Sequence, residues 1–231
     1  MSTQTISVER DVLAPAREAA ARLRDEFTRQ GILAVNILSS PGAGKTSLLE
    51  ATARFWRDQG GPSMAVLVGD LATDRDAQRL APFTRVVQLT TGGACHLELP
   101  LVQRGLAQLG QLDCEFLFIE NVGNLVCPAS HDLGEHLRVI LLSTTEGDDK
   151  PAKYPKAFRT SHLLVVSKTD LLPHVPFSVA AATADARMIQ PQLRSVAVSS
   201  RTGEGIAAWC AELERTRREL LVQGHVTPPI R

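Results

Sequence analysis

The sequence predicts an α/β fold, a mostly parallel sheet with helices on both faces, and two observations carry that prediction. Short, near-continuous apolar runs alternate with stretches of helical periodicity along almost the whole chain. Strands covered on both faces read as unbroken hydrophobic runs, and strict alternation with helices joins them in parallel. The first of these runs also ends in a glycine-rich turn that leads directly into a helix. Sheets of this kind gather their ligands at such carboxyl ends.

The elements follow in order. Residues 15–30 read as a leading helix: Pro15 suits a first turn, Ala16, Ala19, Ala20, Leu23 and Phe27 recur at helical spacing, and Gly31 supplies the stop. Strands are expected at 33–38, 64–68, 86–89, 116–119, 139–142, 163–166 and 195–198. Helices are expected at 46–59, 74–80, 97–109, 179–189 and 206–222. Two long irregular stretches remain, 123–136 and the charged loop 146–156, and long loops in compact α/β domains usually carry function. Residues 1–31 are read as an N-terminal segment with its leading helix, and 32–231 as one catalytic domain carrying a metal site.

The chain has 231 residues, 44% of them hydrophobic, which suits one sizeable core and is short for two. The 25 lysines and arginines balance 25 aspartates and glutamates, so the basic surplus of a nucleic-acid binder is missing. Residues 1–10 include Glu9 and no apolar core, unlike a secretory signal, and no apolar run is long enough to span a bilayer. The four cysteines, Cys95, Cys114, Cys127 and Cys210, follow no disulfide spacing. A cytoplasmic protein with reduced thiols is expected.

The turn after the first strand reads Ser39-Ser40-Pro41-Gly42-Ala43-Gly44-Lys45-Thr46-Ser47. This is a P-loop with serine at the position of its first glycine. Gly42 and Gly44 let the backbone of Pro41 to Gly44 turn its amides toward phosphate oxygens, and the helix from Thr46 and Ser47 adds its positive end. Lys45 would reach the β- and γ-phosphates and Thr46 would ligate Mg²⁺. Two later strands end in acids, Asp70 and Glu120, either of which could hold Mg²⁺, and Gly123 could offer its amide to the γ-phosphate. Lys45, Thr46, Asp70 and Glu120 form the expected catalytic set.

Base recognition is expected from Ser167-Lys168-Thr169-Asp170. GTPases carry Asn-Lys-x-Asp at such a strand end; here serine replaces the asparagine. The Asp170 carboxylate would accept two guanine N–H bonds, which adenine cannot supply, and the Lys168 stem would pack along the base. Ser199-Ser200-Arg201-Thr202-Gly203 falls where GTPases place a second base-contacting loop, with Ser200 and Arg201 as the expected contacts.

A separate signal is Thr91-Gly92-Gly93-Ala94-Cys95-His96, with Cys127 further on. Neighbours on a regular strand point to opposite faces, but Gly92 and Gly93 permit an irregular turn that would bring Cys95 and His96 together. Two sulfurs and one imidazole are one ligand short of a closed structural zinc site. Such a set keeps an open position or completes itself across a dimer. Cys114 and Cys210 read as small buried hydrophobes. The remaining histidines, His131, His136, His162, His174 and His225, show no comparable spacing.

With these motifs in place, the chain resembles the HypB family, the nickel-incorporation GTPases of [NiFe]-hydrogenase maturation. The matching pieces are SSPGAGKTSLLE, VGDLATDRDAQRL, TTGGACHLE, IENVGNLVCPASHDLGEH, TEGDDKPAKYP and SKTDLLP, in family order. The resemblance implies a GTP-hydrolysing metallochaperone with GTP or GDP, Mg²⁺, and nickel or zinc at Cys95, His96 and Cys127. It implies a nucleotide-dependent homodimer in which Lys153 reaches the partner's nucleotide, and two protein partners, a small metallochaperone and the hydrogenase large subunit. No nucleic acid and no membrane enter. Three departures stand out. Residues 1–10 lack the cysteine motif or histidine-rich tract of many relatives, so a high-affinity loading site and a nickel store are expected to be absent. Ser167 replaces asparagine, and Glu98 stands where aspartate is usual. Competing readings are a urease-type accessory GTPase, whose metal motif is Cys-Pro-His where this chain has Cys127-Pro128-Ala129, a nucleotide-gated metal-binding scaffold with negligible turnover, and a structural zinc protein that retains a P-loop.

Overall fold

The computed structural model describes residues 14–70 and 74–223; the sequence readings on 1–10 and His225 lie outside them. Seven strands form one sheet: β1 (Leu33–Ser39), β2 (Met64–Asp70), β3 (Arg85–Thr90), β4 (Phe116–Glu120), β5 (Leu137–Ser143), β6 (Leu163–Ser167) and β7 (Arg194–Ala197). Their order is β3-β2-β4-β1-β5-β6-β7, and every pairing is parallel. All seven expected strands are present, each within a residue or two of its predicted bounds.

Helices α1 (Ala14–Arg29), α2 (Lys45–Gln59), α3 (Arg75–Leu80), α4 (Leu99–Leu109), α5 (Lys150–Lys153), α6 (Pro155–Arg159), α7 (Val179–Ile189) and α8 (Ile206–Gln223) cover the sheet. The two faces are written in β1. Leu33, Val35 and Ile37 pack with α2, α3 and α8, while Ala34 packs with α1 and α4. Leu38 joins a third cluster with β5, β6, α6 and α7. Asn36 breaks this apolar pattern although it is fully buried.

The loop expected at 146–156 is instead α5 and the start of α6. Pro151 and Pro155 each sit in a first turn, where the missing N–H costs nothing. Short 3₁₀ turns at Pro128–Ser130 and Thr169–His174 are likewise additions to the predicted elements. The sheet order reverses at β1, which lies between β4 and β5. A crevice at the carboxyl end of such a strand is where doubly wound sheets bind ligands.

Candidate functional site

Past Ser39 the backbone enters left-handed conformations at Gly42 (φ 72°) and Gly44 (φ 99°), and α2 begins at Lys45. A β-carbon at either position would be strained, so the glycines shape the loop. Serine at the first position has a local use: its hydroxyl lies 3.0 Å from the Lys45 amine. Burial pushes that amine below its ordinary pKa, while the carboxylates of Glu120, Asp76, Glu146 and Asp70 pull it back up.

Thr46 donates its hydroxyl to Glu120 Oε1 at 2.8 Å. The second Glu120 oxygen is buried without a hydrogen-bond partner among the described residues. Burial raises the Glu120 pKa to about 7, against the opposing pull of Lys45 and the Thr46 hydrogen bond. An orphaned carboxylate oxygen beside a threonine hydroxyl, with Asp70 at the tip of the adjoining strand β2, is the hard oxygen set that suits Mg²⁺.

From this loop a cleft of about 960 Å³ extends past Gly44, Ser47, Lys168, Asp170, Ser200 and Arg201. Asp170 accepts hydrogen bonds from Ser199 Oγ (2.6 Å) and Arg201 Nε (2.8 Å), which hold its carboxyl below the usual range. One bond on each oxygen leaves both Asp170 oxygens a further lone pair for the N–H groups of a base. Ser167, the departure from asparagine, donates its hydroxyl to the Ala43 carbonyl at 2.7 Å. Lys168, in a left-handed conformation (φ 59°), donates to the Gly42 carbonyl at 2.7 Å. The end of β6 is thereby tied to the phosphate loop at two points. Lys153 is exposed and pairs with Asp149 at 2.6 Å; within this chain it is Lys150 that meets the phosphate loop, 3.3 Å from Ser40 Oγ.

Thirty-two residues separate Cys95 from Cys127, yet their sulfurs lie 2.7 Å apart. Gly92 (φ 63°) and Gly93 (φ 103°) turn the chain so that His96 Nδ1 stands 3.7 Å from the Cys95 sulfur. Donor atoms of Cys95, His96 and Cys127 all fall within 4.8 Å of one another. The hydrogen bond to Cys127 pushes the Cys95 thiol up. Two sulfurs and an imidazole match the softness of nickel or zinc. Cys114 and Cys210 stay apart from this cluster; burial raises their thiols to about 11 and about 12.

The nucleotide crevice and the cysteines are joined by one segment. Asn124 bridges to Ser39 at the end of β1. A β-carbon at Gly123 would stand 2.8 Å from the Pro41 α-carbon, so this backbone rests directly on the phosphate loop. Cys127 follows four residues later.

The family model described as "CobW/HypB/UreG, nucleotide-binding domain" matches residues 33–197. The "Hydrogenase maturation factor HypB" of Azotobacter vinelandii is 45% identical over 216 residues, which is 93% of this chain and 71% of that protein. The chain belongs to the HypB family.

The "Hydrogenase/urease maturation factor HypB" of Helicobacter hepaticus is 39% identical over 95% of this chain and 91% of that protein. A crystal structure of HypB from Helicobacter pylori in complex with nickel superposes with a TM-score of 0.82 and 35% identity, over 89% of this chain and 96% of that one. The parallel sheet and P-loop nucleotide-binding architecture are therefore those of HypB proteins.

Several residues of this HypB-family site escape sequence reasoning. Asp76 and Glu146 face Lys45. His131, which has no ligand-like spacing in the sequence, stacks on the His96 ring with centroids 3.9 Å apart. Arg138 reaches the carbonyls of Ala129 and His131 and is held by the buried Glu135. Asn36 donates to the same Glu135 and accepts from Asn121, whose oxygen takes the Leu97 amide beside His96. A signal exists for this network: Asn36 and Arg138 interrupt apolar strands, and polar groups buried there need partners.

Proposed function

We propose that this chain is a GTP-hydrolysing nickel metallochaperone that assists nickel insertion into a [NiFe] hydrogenase, working as a nucleotide-dependent homodimer in the cytoplasm. The observation that carries the reading is the single segment from Glu120 through Gly123 to Cys127, which touches the nucleotide loop at one end and supplies a metal donor at the other. Supporting it are the family membership and the nickel complex of the Helicobacter pylori relative. Among the described residues no helix is long and apolar enough to cross a membrane.

In this reading residues 32–231 form the GTPase domain. Residues Pro41 to Ser47 wrap the phosphates and Lys45 balances their charge. Mg²⁺, held by Thr46, Asp70 and Glu120, supplies further charge neutralisation when bound. Asp170 selects guanine, Lys168 lines the base, and Ser200 and Arg201 close the cleft. Gly123 senses the γ-phosphate, and Lys153 reaches the partner's nucleotide. Nickel, or zinc in its place, is cargo on Cys95, His96 and Cys127. A nucleotide-driven shift of the 120–127 segment moves one thiolate relative to the other two donors, and by linkage changes metal affinity. A small metallochaperone and the hydrogenase large subunit are the partners. A second client class has one observation in its favour: the Helicobacter hepaticus relative is named for urease as well as hydrogenase.

The test is metal binding by the purified chain and its Cys127→Ala variant, each with GDP and with a non-hydrolysable GTP analogue. Nucleotide-dependent affinity in the parent and large loss in the variant are expected. Equal affinity in both nucleotide states would remove the switch.

A further inference from the structure

We propose that Asn121 is a positioning residue, which pins the arm bearing Cys95 and His96 to the strand tips that carry Asp70 and Glu120. The inference rests on the metal and nucleotide readings of those residues. Asn121 follows Glu120 directly and is fully buried, and its backbone amide donates to the Ile37 carbonyl of β1 at 3.1 Å. Its side-chain oxygen accepts two backbone N–H groups, from Val122 at 3.0 Å and from Leu97 at 3.2 Å. Val122 leads into the backbone that rests on the phosphate loop, and Leu97 is the residue after His96.

A second buried asparagine fixes which way the Asn121 amide points. Asn36 donates to the Glu135 carboxylate at 3.3 Å, which leaves its own oxygen to accept from Asn121 Nδ2 at 3.3 Å. An ionised carboxylate only accepts, so flipping either amide would oppose like groups. The Asn121 oxygen is thereby committed to Leu97 and Val122.

Leu97 is held on its other side as well. Its side chain is fully buried, and a β-carbon at Gly69 would stand 2.8 Å from it. Gly69 precedes Asp70 at the tip of β2. The opposite end of the arm is bonded to the same tip, because the Thr91 amide donates to the Asp70 carbonyl at 3.1 Å. The arm from Thr91 to Leu97 is therefore closed at both ends on β2 and on the residue after β4. Those strands carry the acids proposed for Mg²⁺. Cys127 lies beyond Gly123 on a separate segment. Its displacement alters the donor geometry to the extent that Cys95 and His96 stay in place, and Asn121 keeps them there.

The competing role for Asn121 is burial alone, in which it satisfies two amides and contributes only to stability. The ratio of zinc affinities in the two nucleotide states separates the roles. Zn²⁺ affinity is measured by chelator competition on the full chain, saturated with GDP or with a non-hydrolysable GTP analogue. The proteins are the parent, Asn121→Ala, Gly69→Ala and Cys127→Ala. Asn121→Ala removes the acceptor for Leu97, whereas Gly69→Ala keeps it and crowds the Leu97 side chain out of its seat. In Asn121→Ala zinc affinity is expected to fall by roughly 10–100-fold, as for a lost outer partner, and the ratio between nucleotide states to fall toward one. A parent-like ratio in Asn121→Ala, whatever its stability in urea, overturns the proposal. Should that variant fail to fold, Gly69→Ala decides, and a parent-like ratio there overturns it equally. Zinc affinity retained in Cys127→Ala would defeat the metal reading itself. Equal affinity in both nucleotide states of the parent would defeat the switch, and this inference with it.

Discussion

Ser167 meets at one atom a demand that the strand end makes, because its hydroxyl satisfies the Ala43 carbonyl inside the phosphate loop. Ser167→Ala leaves that buried acceptor unpaired, at a cost of about 1–3 kcal/mol. If the loop carries the loss, GDP binding weakens by about fivefold or more, measured by titration with a fluorescent guanine nucleotide. Ser167→Asn is a sharper probe. Tighter GDP binding would mean that the asparagine amide adds a contact the hydroxyl lacks, and no change would mean that the serine already fills that role. At Asp170 the outcome is one of selectivity. Asp170→Asn presents a donor where guanine also donates, so GTP affinity falls and xanthine nucleotide gains in competition. ATP competing as well as GTP against the parent chain would refute the assignment. Lys45→Ala deletes the buried cation at the phosphates, and both nucleotide binding and phosphate release are expected to vanish.

Among the elements, the segment from β4 to β5 bears most of the functional weight. Gly123 rests on Pro41, with backbone atoms 2.8–3.0 Å from where a β-carbon would stand. No flexible side chain is there to yield, so Gly123→Ala has to push the segment off the phosphate loop, for about 1–3 kcal/mol. Stability measured by urea unfolding and the metal response to nucleotide should fall together; a variant that keeps the full metal response would uncouple this contact from signalling. Further along, Glu135 is buried, and although burial raises its pKa, Arg138 and the hydrogen bonds it accepts bring it down to about 2. Arg138→Ala strands that charge and releases the carbonyls of Ala129 and His131, a destabilisation of about 3–5 kcal/mol. Arg138→Ala, Glu135→Leu together should cost less than Arg138→Ala alone, which a double-mutant cycle would read.

Across the whole molecule, pH acts through two buried histidines, with Glu120 opposing them. Burial lowers both His136 and His162 to about 4. His136 takes the Ala34 amide on Nδ1 and His162 takes the Arg138 amide, which requires each ring to be neutral at that nitrogen. Unfolded, both bind protons near about pH 6.5, so below that value the unfolded state holds more protons than the folded one. Their stabilising effect is complete above about pH 6.5 and is lost as pH falls toward 4, by up to about 3 kcal/mol for each histidine. Glu120, raised to about 7, takes up its proton earlier in the folded state than in the unfolded one. It offsets about one histidine down to about pH 4.5. Melting temperature should therefore decline below about pH 6.5 with the net slope of one histidine, and His162→Gln should flatten that decline. A flat profile for the parent between about pH 6.5 and 5 would contradict the neutral, buried state of both rings.

Much of this architecture is legible in the amino-acid sequence. Continuous apolar runs announce the seven strands, because strands buried on both faces have no other composition available. The phosphate loop, Glu120, Asp170 and the cysteine pair are legible because each sits at or just beyond a strand end, where local pattern and position coincide. Sheet order is not legible: β1 lies between β4 and β5 through contacts remote in sequence. For the same reason His131 carries no signal of its own, since its stack on His96 joins residues far apart along the chain. The stretch 146–156 reads as a charged loop, yet its prolines sit in first turns, where they start helices. Composition and spacing determined which chemistry this chain carries. Which atoms meet was decided by tertiary packing, because burial forces each polar group to find a partner wherever the fold has brought one.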